Sequence, residues 1–150
     1  MRLAVAISAL ACLLSTHPFV AQSQAQVDIS KSTADRGGVE ILSDTHGIDL
    51  SKWLKEWHRE TERNWKTPNP SEVIPLRPKK SIAAIRFKVM PNGRLKDGSM
   101  VLESRSGITA FDRAAWLAII DSKYPSLPSD FHGPYIELRA YFVYGIESQQ

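Results

Sequence analysis

Residues 81–116 read SIAAIRFKVMPNGRLKDGSMVLESRSGITAFDRAAW, and this stretch decides the fold. Its first part, residues 81–90, alternates apolar and polar side chains, which is typical of a half-buried strand. The Asn92-Gly93 pair then predicts a tight turn, because both residue types accept a positive φ at low cost. A second strand is predicted at about 95–104. Two strands joined by so short a loop pair in antiparallel fashion.

The end of the same stretch predicts a helix at about 109–122. Thr109 and Asp112 have the spacing of a capping box, in which each residue satisfies a backbone N–H at the start of the helix. Pro125 and Pro128 follow and prevent the helix from continuing. Its expected buried stripe consists of Phe111, Ala114, Ala115, Ala118 and Ile119.

Two further elements flank this stretch. A helix is predicted at about 50–65, where apolar residues recur at steps of three and four. Its tryptophans are interpreted as core anchors rather than a ligand platform, because aromatic side chains bury much area. The apolar positions are Leu50, Trp53, Leu54, Trp57, Thr61 and Trp65. A last strand is predicted at 135–145, where the alternation returns.

The predicted fold is therefore α+β with two layers. It consists of a three-stranded antiparallel sheet, with strands at about 81–90, 95–104 and 135–145, and two helices packed on one face. Alternation along every strand predicts one apolar sheet face and one solvated face. A sheet this small has open edges unless another segment covers them.

The N-terminal segment is interpreted as a signal peptide at residues 1–25. Its uncharged run, residues 3–14, is shorter than the roughly 20 apolar residues that span a bilayer. Ser23-Gln24-Ala25 resembles a signal cleavage site. An uncleaved membrane anchor and a lipoprotein attached at Cys12 are the alternatives. Export implies that the mature chain has no thiol, because Cys12 is the only cysteine.

The domain organisation follows from these elements. A flexible lead is predicted at 26–47, with a possible short strand at 39–42. One domain is predicted at 48–146, and residues 147–150 form a tail. The formal net charge of +3 is weak support for a polyanionic partner, so nucleic acid is not expected.

The sequence contains no pattern that predicts a cofactor or a metal site. His46, His58 and His132 lack the spacing of metal ligands. Ser106-Gly107 next to Asp112 resembles a nucleophile with a partner, which keeps a small secreted hydrolase as an alternative. No catalytic residue is assigned, and a non-enzymatic, binding function is expected.

An unpaired sheet edge is the remaining candidate for function. An extended peptide can bind such an edge by adding a strand to the sheet. Alternatively, charged side chains guard the edge against aggregation. The candidate guards are Lys88, Arg94, Lys96 and Arg139. The residues alone leave both readings open.

Four segments of the chain follow one another in an order and spacing that are fairly specific. They are Arg63-Asn64-Trp65, the basic and apolar strand with its Asn-Gly turn at 80–93, the Ser-Gly break at 103–107 followed by 111–115, and the proline-containing approach from 124 into the last strand. Together they resemble the TonB C-terminal domain family over about residues 39–146. In that family the corresponding segments are the end of the first helix, the first strand and turn, the Ser-Gly break with a helix start, and the approach to the last strand.

The resemblance implies a periplasmic domain of an energy transducer for active transport across the outer membrane. Such a domain binds the N-terminal peptide of an outer-membrane receptor by strand addition. The last strand is then the candidate docking edge, with Glu137, Arg139, Tyr141 and Val143 as partner-binding residues. The short apolar N-terminal run and the missing long proline-rich spacer favour a stand-alone domain. An uncleaved, membrane-anchored transducer is the alternative, and open edges permit a homodimer by strand exchange.

Overall fold

A computed structural model describes residues 34, 36–68 and 80–145 of the 150. The predicted signal peptide and the tail at 147–150 lie outside the described residues. Within these residues, four strands and two helices follow one another along the chain. They are β1 (Gly38–Ile41), α1 (Ser51–Asn64), β2 (Ser81–Val89), β3 (Val101–Ser104), α2 (Thr109–Ile120) and β4 (Ile136–Tyr144). The predicted α+β class is confirmed.

The described strands form one antiparallel sheet in the order β1-β4-β2-β3. The predicted number of three strands is wrong, because β1 adds a fourth strand in the described part of the chain. The possible short strand at 39–42 is thus confirmed as β1. The last strand, β4, lies between β2 and β1 rather than at an edge.

The longest ladder of the sheet joins β2 and β4. It runs without interruption from the pair Ser81–Tyr144 to the pair Val89–Ile136. The strand predicted at 95–104 is shorter than expected, because β3 covers only its last four residues. Leu95 forms an isolated bridge with Val89 instead.

Gly98 lies within the stretch predicted as the second strand but belongs to a turn. It has a φ of +67° in a turn that separates Leu95 from β3. The register of the β2–β3 ladder shifts elsewhere, between Ala84 and Ile85.

Both helices pack on the same face of the sheet, as predicted. Trp57 of α1 is 2% exposed and stacks on Phe87 of β2 with a ring-centroid distance of 6.0 Å. Phe111 of α2 is fully buried and contacts Tyr144 of β4 at 5.5 Å. The core therefore lies between the two helices and the central strands.

The start of α2 differs from the predicted capping box. The residue before the helix is Ile108, and it has an extended backbone and no side-chain capping bond. Asp112 instead accepts a hydrogen bond from the backbone N–H of Ser106 at 2.8 Å. The carboxylate therefore closes the turn that precedes the helix and ties β3 to α2.

No helix in the described ranges combines the length and the apolar character that crossing a membrane requires.

Candidate functional site

The predicted docking residues lie on the central strand β4. Glu137, Arg139, Tyr141 and Val143 alternate with core residues, so they share the outer face of the sheet, away from the helices. The prediction that β4 is an open edge is wrong. β1 pairs with it from Ile41 opposite Leu138 to Gly38 opposite Tyr141.

β1 is attached to β4 through its backbone and through both of its faces. Val39 and Ile41 are partly buried against the core. On the outer face, the Glu40 carboxylate accepts hydrogen bonds from the Arg139 guanidinium and the Tyr141 hydroxyl, each at 3.1 Å. Two of the four predicted docking residues therefore hold the chain's own N-terminal strand.

The backbone contacts of β1 continue past its last residue. The N–H of Leu42 donates to the carbonyl of Glu137 at 2.8 Å, and the N–H of Glu137 donates to the Ser43 hydroxyl at 2.9 Å. This end of the β4 edge is therefore closed by Leu42 and Ser43.

The other end of the β4 edge extends beyond β1. Residues 142–144 pair with β2 on one side, and no strand of the described chain pairs with them on the other. The described chain leaves the sheet at Gly37, whose φ of +72° lies in the left-handed region that favours glycine. Less than half of the nine-residue β4 is thus covered by β1.

A cavity of about 140 Å³ lies between α1 and β4, next to the end of β1. Gly37 forms part of its wall on the side of β1. Its other walls include Trp57 and Thr61 of α1, Trp65 directly after α1, and Phe142 and Val143 of β4. The cavity therefore adjoins the part of β4 that β1 does not cover.

Two buried indole groups have no hydrogen-bond acceptor among the described residues. They are the Nε1 groups of Trp57 and Trp65, and both residues line the cavity. The Tyr124 hydroxyl is the polar neighbour of Trp57. Burial raises the pKa of this phenol, and its contact with Trp57 opposes that effect. Trp65 has no such neighbour in the described chain, and its ring contacts Phe142 at 5.4 Å. A buried donor without an acceptor is destabilising, so Trp65 marks a place where an acceptor would be favourable.

A network of charges crosses the outer face of the sheet. Glu103 of β3 accepts from Arg86 Nε at 2.7 Å and from Arg139 Nε at 2.5 Å, while Arg86 also contacts Glu137 at 2.6 Å. Arg86 and Arg139 lie directly opposite each other, so Glu103 neutralises a repulsive cross-strand pair. With Glu40 bound to Arg139, the network joins β1 to the other strands.

The network perturbs the ionisation of its members. Hydrogen bonds from Arg139 and Arg86 lower the pKa of Glu103 below its ordinary value, against the opposing effect of desolvation. The hydrogen bond to Glu103 raises the pKa of Arg139. Both shifts favour the charged forms that make the contacts.

The lowered pKa of Glu103 predicts a loss of stability in acid. A carboxylate with a depressed folded-state pKa stabilises the fold above its unfolded pKa, which is about 4.3, and this contribution is lost as the pH falls through the folded value. At pH 7, Glu103→Gln is expected to lower the free energy of unfolding by about 1 kcal/mol. Urea titrations at pH 7 and at about pH 2.5 measure this, and the difference from wild type should shrink in acid.

The control for this prediction is Asp97→Asn, at an exposed carboxylate in the loop before β3. It should change the free energy of unfolding little at either pH. An equal effect of Glu103→Gln at both pH values would contradict a role for its negative charge.

The other chemical candidates of the sequence have structural roles. The Ser106 hydroxyl contacts the backbone of Ile108 at 3.1 Å, accepting from its N–H and donating to its carbonyl, so this serine forms a turn. His58 lies 3.5 Å from Glu62 on the exposed face of α1. In the described part of the chain, no group of three or more His, Cys, Asp or Glu residues is placed to hold a metal ion.

In comparisons with known proteins, no family model matches the chain, and neither a curated protein nor a solved structure matches it significantly.

Proposed function

We propose that this chain is a periplasmic, TonB-like interaction domain that binds an extended peptide along the outer edge of β4. The peptide takes the place of β1, and its source is the N-terminal segment of an outer-membrane receptor. The observation that carries the proposal is the mismatch between the two strands. β1 pairs with only four residues of the nine-residue β4, and residues 142–144 at its far end have no partner strand on this side in the described chain.

The exchange of β1 for a peptide is energetically feasible. A peptide in the place of β1 forms the same backbone ladder and buries similar side chains, so most of the broken contacts are replaced. The intramolecular strand keeps the advantage of a high effective concentration, which is of millimolar order for short linkers. A peptide that also pairs with residues 142–144 gains further hydrogen bonds of about 1 kcal/mol each. Length therefore favours the peptide over β1.

The outer-face side chains define what the peptide should carry. Arg139 and Tyr141 converge on the carboxylate of Glu40. A peptide in the same register places its own side chain there, and an acidic residue satisfies both groups. Val143 lies beyond the last pair of the β1 ladder, next to Gly37, where a longer strand would pass it. Glu137 lies at the closed end, next to Ser43.

A disulfide that locks β1 onto β4 tests the proposal. Leu42 and Glu137 are joined by a backbone hydrogen bond, and hydrogen-bonded and non-hydrogen-bonded pairs alternate along an antiparallel ladder. Three residues earlier, Val39 and Ala140 are therefore a non-hydrogen-bonded pair. Such pairs have Cα atoms about 4.5 Å apart, which a disulfide can bridge. The variant Val39→Cys/Ala140→Cys, in a Cys12→Ser background, carries a photo-crosslinking residue at position 143. Oxidation is expected to abolish capture of the receptor segment, and reduction should restore it.

The single variant Val39→Cys in the same background is the control, and its capture should not depend on the redox state. The captured peptide is identified by mass spectrometry. Equal capture with the lock closed and open would contradict the proposal. So would a captured peptide from another part of the receptor. A crosslink to residues 38–41 of a second copy would show strand exchange between two chains instead.

A further inference from the structure

The cavity lies where the alternation of β1 would place one more inward side chain. Val39 and Ile41 point to the core, opposite Ala140 and Leu138. The observed ladder ends at Gly38, and the same register continued by one residue would place Gly37 opposite Phe142. Glycine has no side chain, and its positive φ turns the chain out of the strand. β1 therefore contributes no inward side chain at this position, next to the cavity.

A regular strand in the place of β1 would project a side chain into this space. The cavity lies between α1 and the edge of β4, and its lining includes Ala140 and Phe142 of the inner face, which also receives Val39 and Ile41. The position corresponding to Gly37 is thus a place on the inner face where a bound peptide can add a side chain that β1 lacks. This side chain distinguishes a partner from the chain's own strand.

The size and walls of the cavity fit one aromatic ring. An engineered apolar cavity of about 150 Å³ is large enough to bind benzene. The cavity here has a volume of about 140 Å³. Trp57, Trp65 and Phe142 supply aromatic lining, and Arg36, His58 and Glu62 supply its charged or ionisable part. Trp65 and Phe142 meet edge to face, with an interplanar angle of 74°. Aromatic walls of this kind favour a further ring through offset or edge-to-face contacts.

The polar groups of the cavity favour a ring that carries an oxygen atom. Trp65 Nε1 is a buried donor with no acceptor in the described chain. Thr61 also belongs to the lining, and its hydroxyl lies 3.4 Å from the Tyr124 hydroxyl. A phenol hydroxyl accepts a hydrogen bond from an indole N–H, which a phenylalanine ring cannot do.

We propose that this cavity is the specificity pocket for a tyrosine of the docked peptide. The inference rests on the proposed function, since it needs a peptide in the place of β1. The tyrosine lies two residues before the aliphatic residue opposite Ala140. The residue opposite Arg139 is acidic, as Glu40 is, and a second aliphatic residue follows. The recognised pattern is therefore tyrosine, any residue, aliphatic, acidic, aliphatic.

Three synthetic peptides test this assignment against the full-length protein. The first peptide, Tyr-Thr-Val-Glu-Ile-Leu, has the sequence of residues 37–42 with tyrosine and threonine in place of the two glycines. The other two peptides are identical except that they begin with phenylalanine or alanine. The tyrosine peptide is expected to bind about tenfold or more tighter than the alanine peptide, from burial of the ring. It should also bind more tightly than the phenylalanine peptide. Changes in the peptide leave the fold of the protein untouched.

The indole N–H signals of the four tryptophans provide a second measurement. The signal that Trp65→Phe removes belongs to Trp65, and the tyrosine peptide should shift it more than the phenylalanine peptide does. In the Trp65→Phe variant, the preference for tyrosine over phenylalanine should disappear. All titrations are repeated with Val39→Asp, which loosens β1 and should strengthen the binding of every peptide.

The outcomes separate the pocket from the proposed function. Equal binding of the tyrosine and alanine peptides would overturn the pocket and leave strand addition intact. Equal binding of the tyrosine and phenylalanine peptides, with no shift at Trp65, would overturn the assignment of tyrosine. If no peptide binds to wild type or to Val39→Asp, strand addition at β4 fails and the pocket fails with it.

Discussion

Replacement of Trp57 by alanine is expected to lower the free energy of unfolding by about 3–5 kcal/mol. Trp57 is 2% exposed and lies at the centre of the contact between α1 and the sheet. Its ring stacks on Phe87 and packs against Tyr124, each with a centroid distance of 6.0 Å. Alanine leaves a large void among rigid rings, which cannot close around it. A loss of this size is a large part of the stability of a small domain.

Urea unfolding followed by far-ultraviolet circular dichroism measures this effect without relying on tryptophan fluorescence. The matched control is Lys55→Ala, at an exposed position of the same helix, which should change the free energy by less than about 0.5 kcal/mol. A Trp57→Ala variant as stable as the Lys55→Ala variant would show that α1 does not dock through this residue.

Replacement of Gly93 by alanine has the second largest expected effect, a loss of about 2–5 kcal/mol. Gly93 has a φ of +80°, which costs an alanine about 1–2 kcal/mol. A Cβ at this position would also lie 2.7 Å from the carbonyl oxygen of Pro125 and closer still to that of Tyr124. These are backbone atoms that cannot rotate away, so the segment after α2 must shift, with an overpacking cost of about 1–3 kcal/mol.

The control for Gly93 is Gly98→Ala. Gly98 has a similar φ of +67°, yet a Cβ there would meet no atom within 4 Å. It should therefore show the backbone cost alone, about 1–2 kcal/mol. Urea midpoints of the two variants give the comparison. Equal losses would show that the close approach to Tyr124 and Pro125 contributes nothing to the requirement for glycine at 93.

Local patterns predicted most of the fold correctly. Two kinds of pattern reflect which face of each element is buried. They are the alternation at 81–90 and 135–145 and the helical spacing at 50–65 and 109–122. That property repeats along the sequence, so it is readable without knowing the partners. The strand predicted at 95–104 is absent before Val101. This part contains Gly98, whose left-handed backbone interrupts the ladder before β3.

The candidate site was predicted only in part. The alternation of β4 correctly placed Arg139 and Tyr141 on the solvated face. Their contacts with Glu40 were missed, because about 100 residues separate the partners along the chain. The cavity was also missed, since its walls come from Trp65, Phe142 and Gly37, which no motif connects.

The sequence alone determined the class of the fold, the buried face of each helix and long strand, and the turn at Asn92-Gly93. These features arise from interactions within a few residues, where periodicity and backbone preference act. Only the tertiary structure decided the order of the strands. The segment Gly38–Ile41 is too short for its alternation to predict which strand it pairs with. Its place beside β4 depends on the backbone ladder, on the contact of Glu40 with Arg139 and on the core beneath Val39. This long-range pairing turned a predicted open edge into one that is partly occupied, with a cavity at its end.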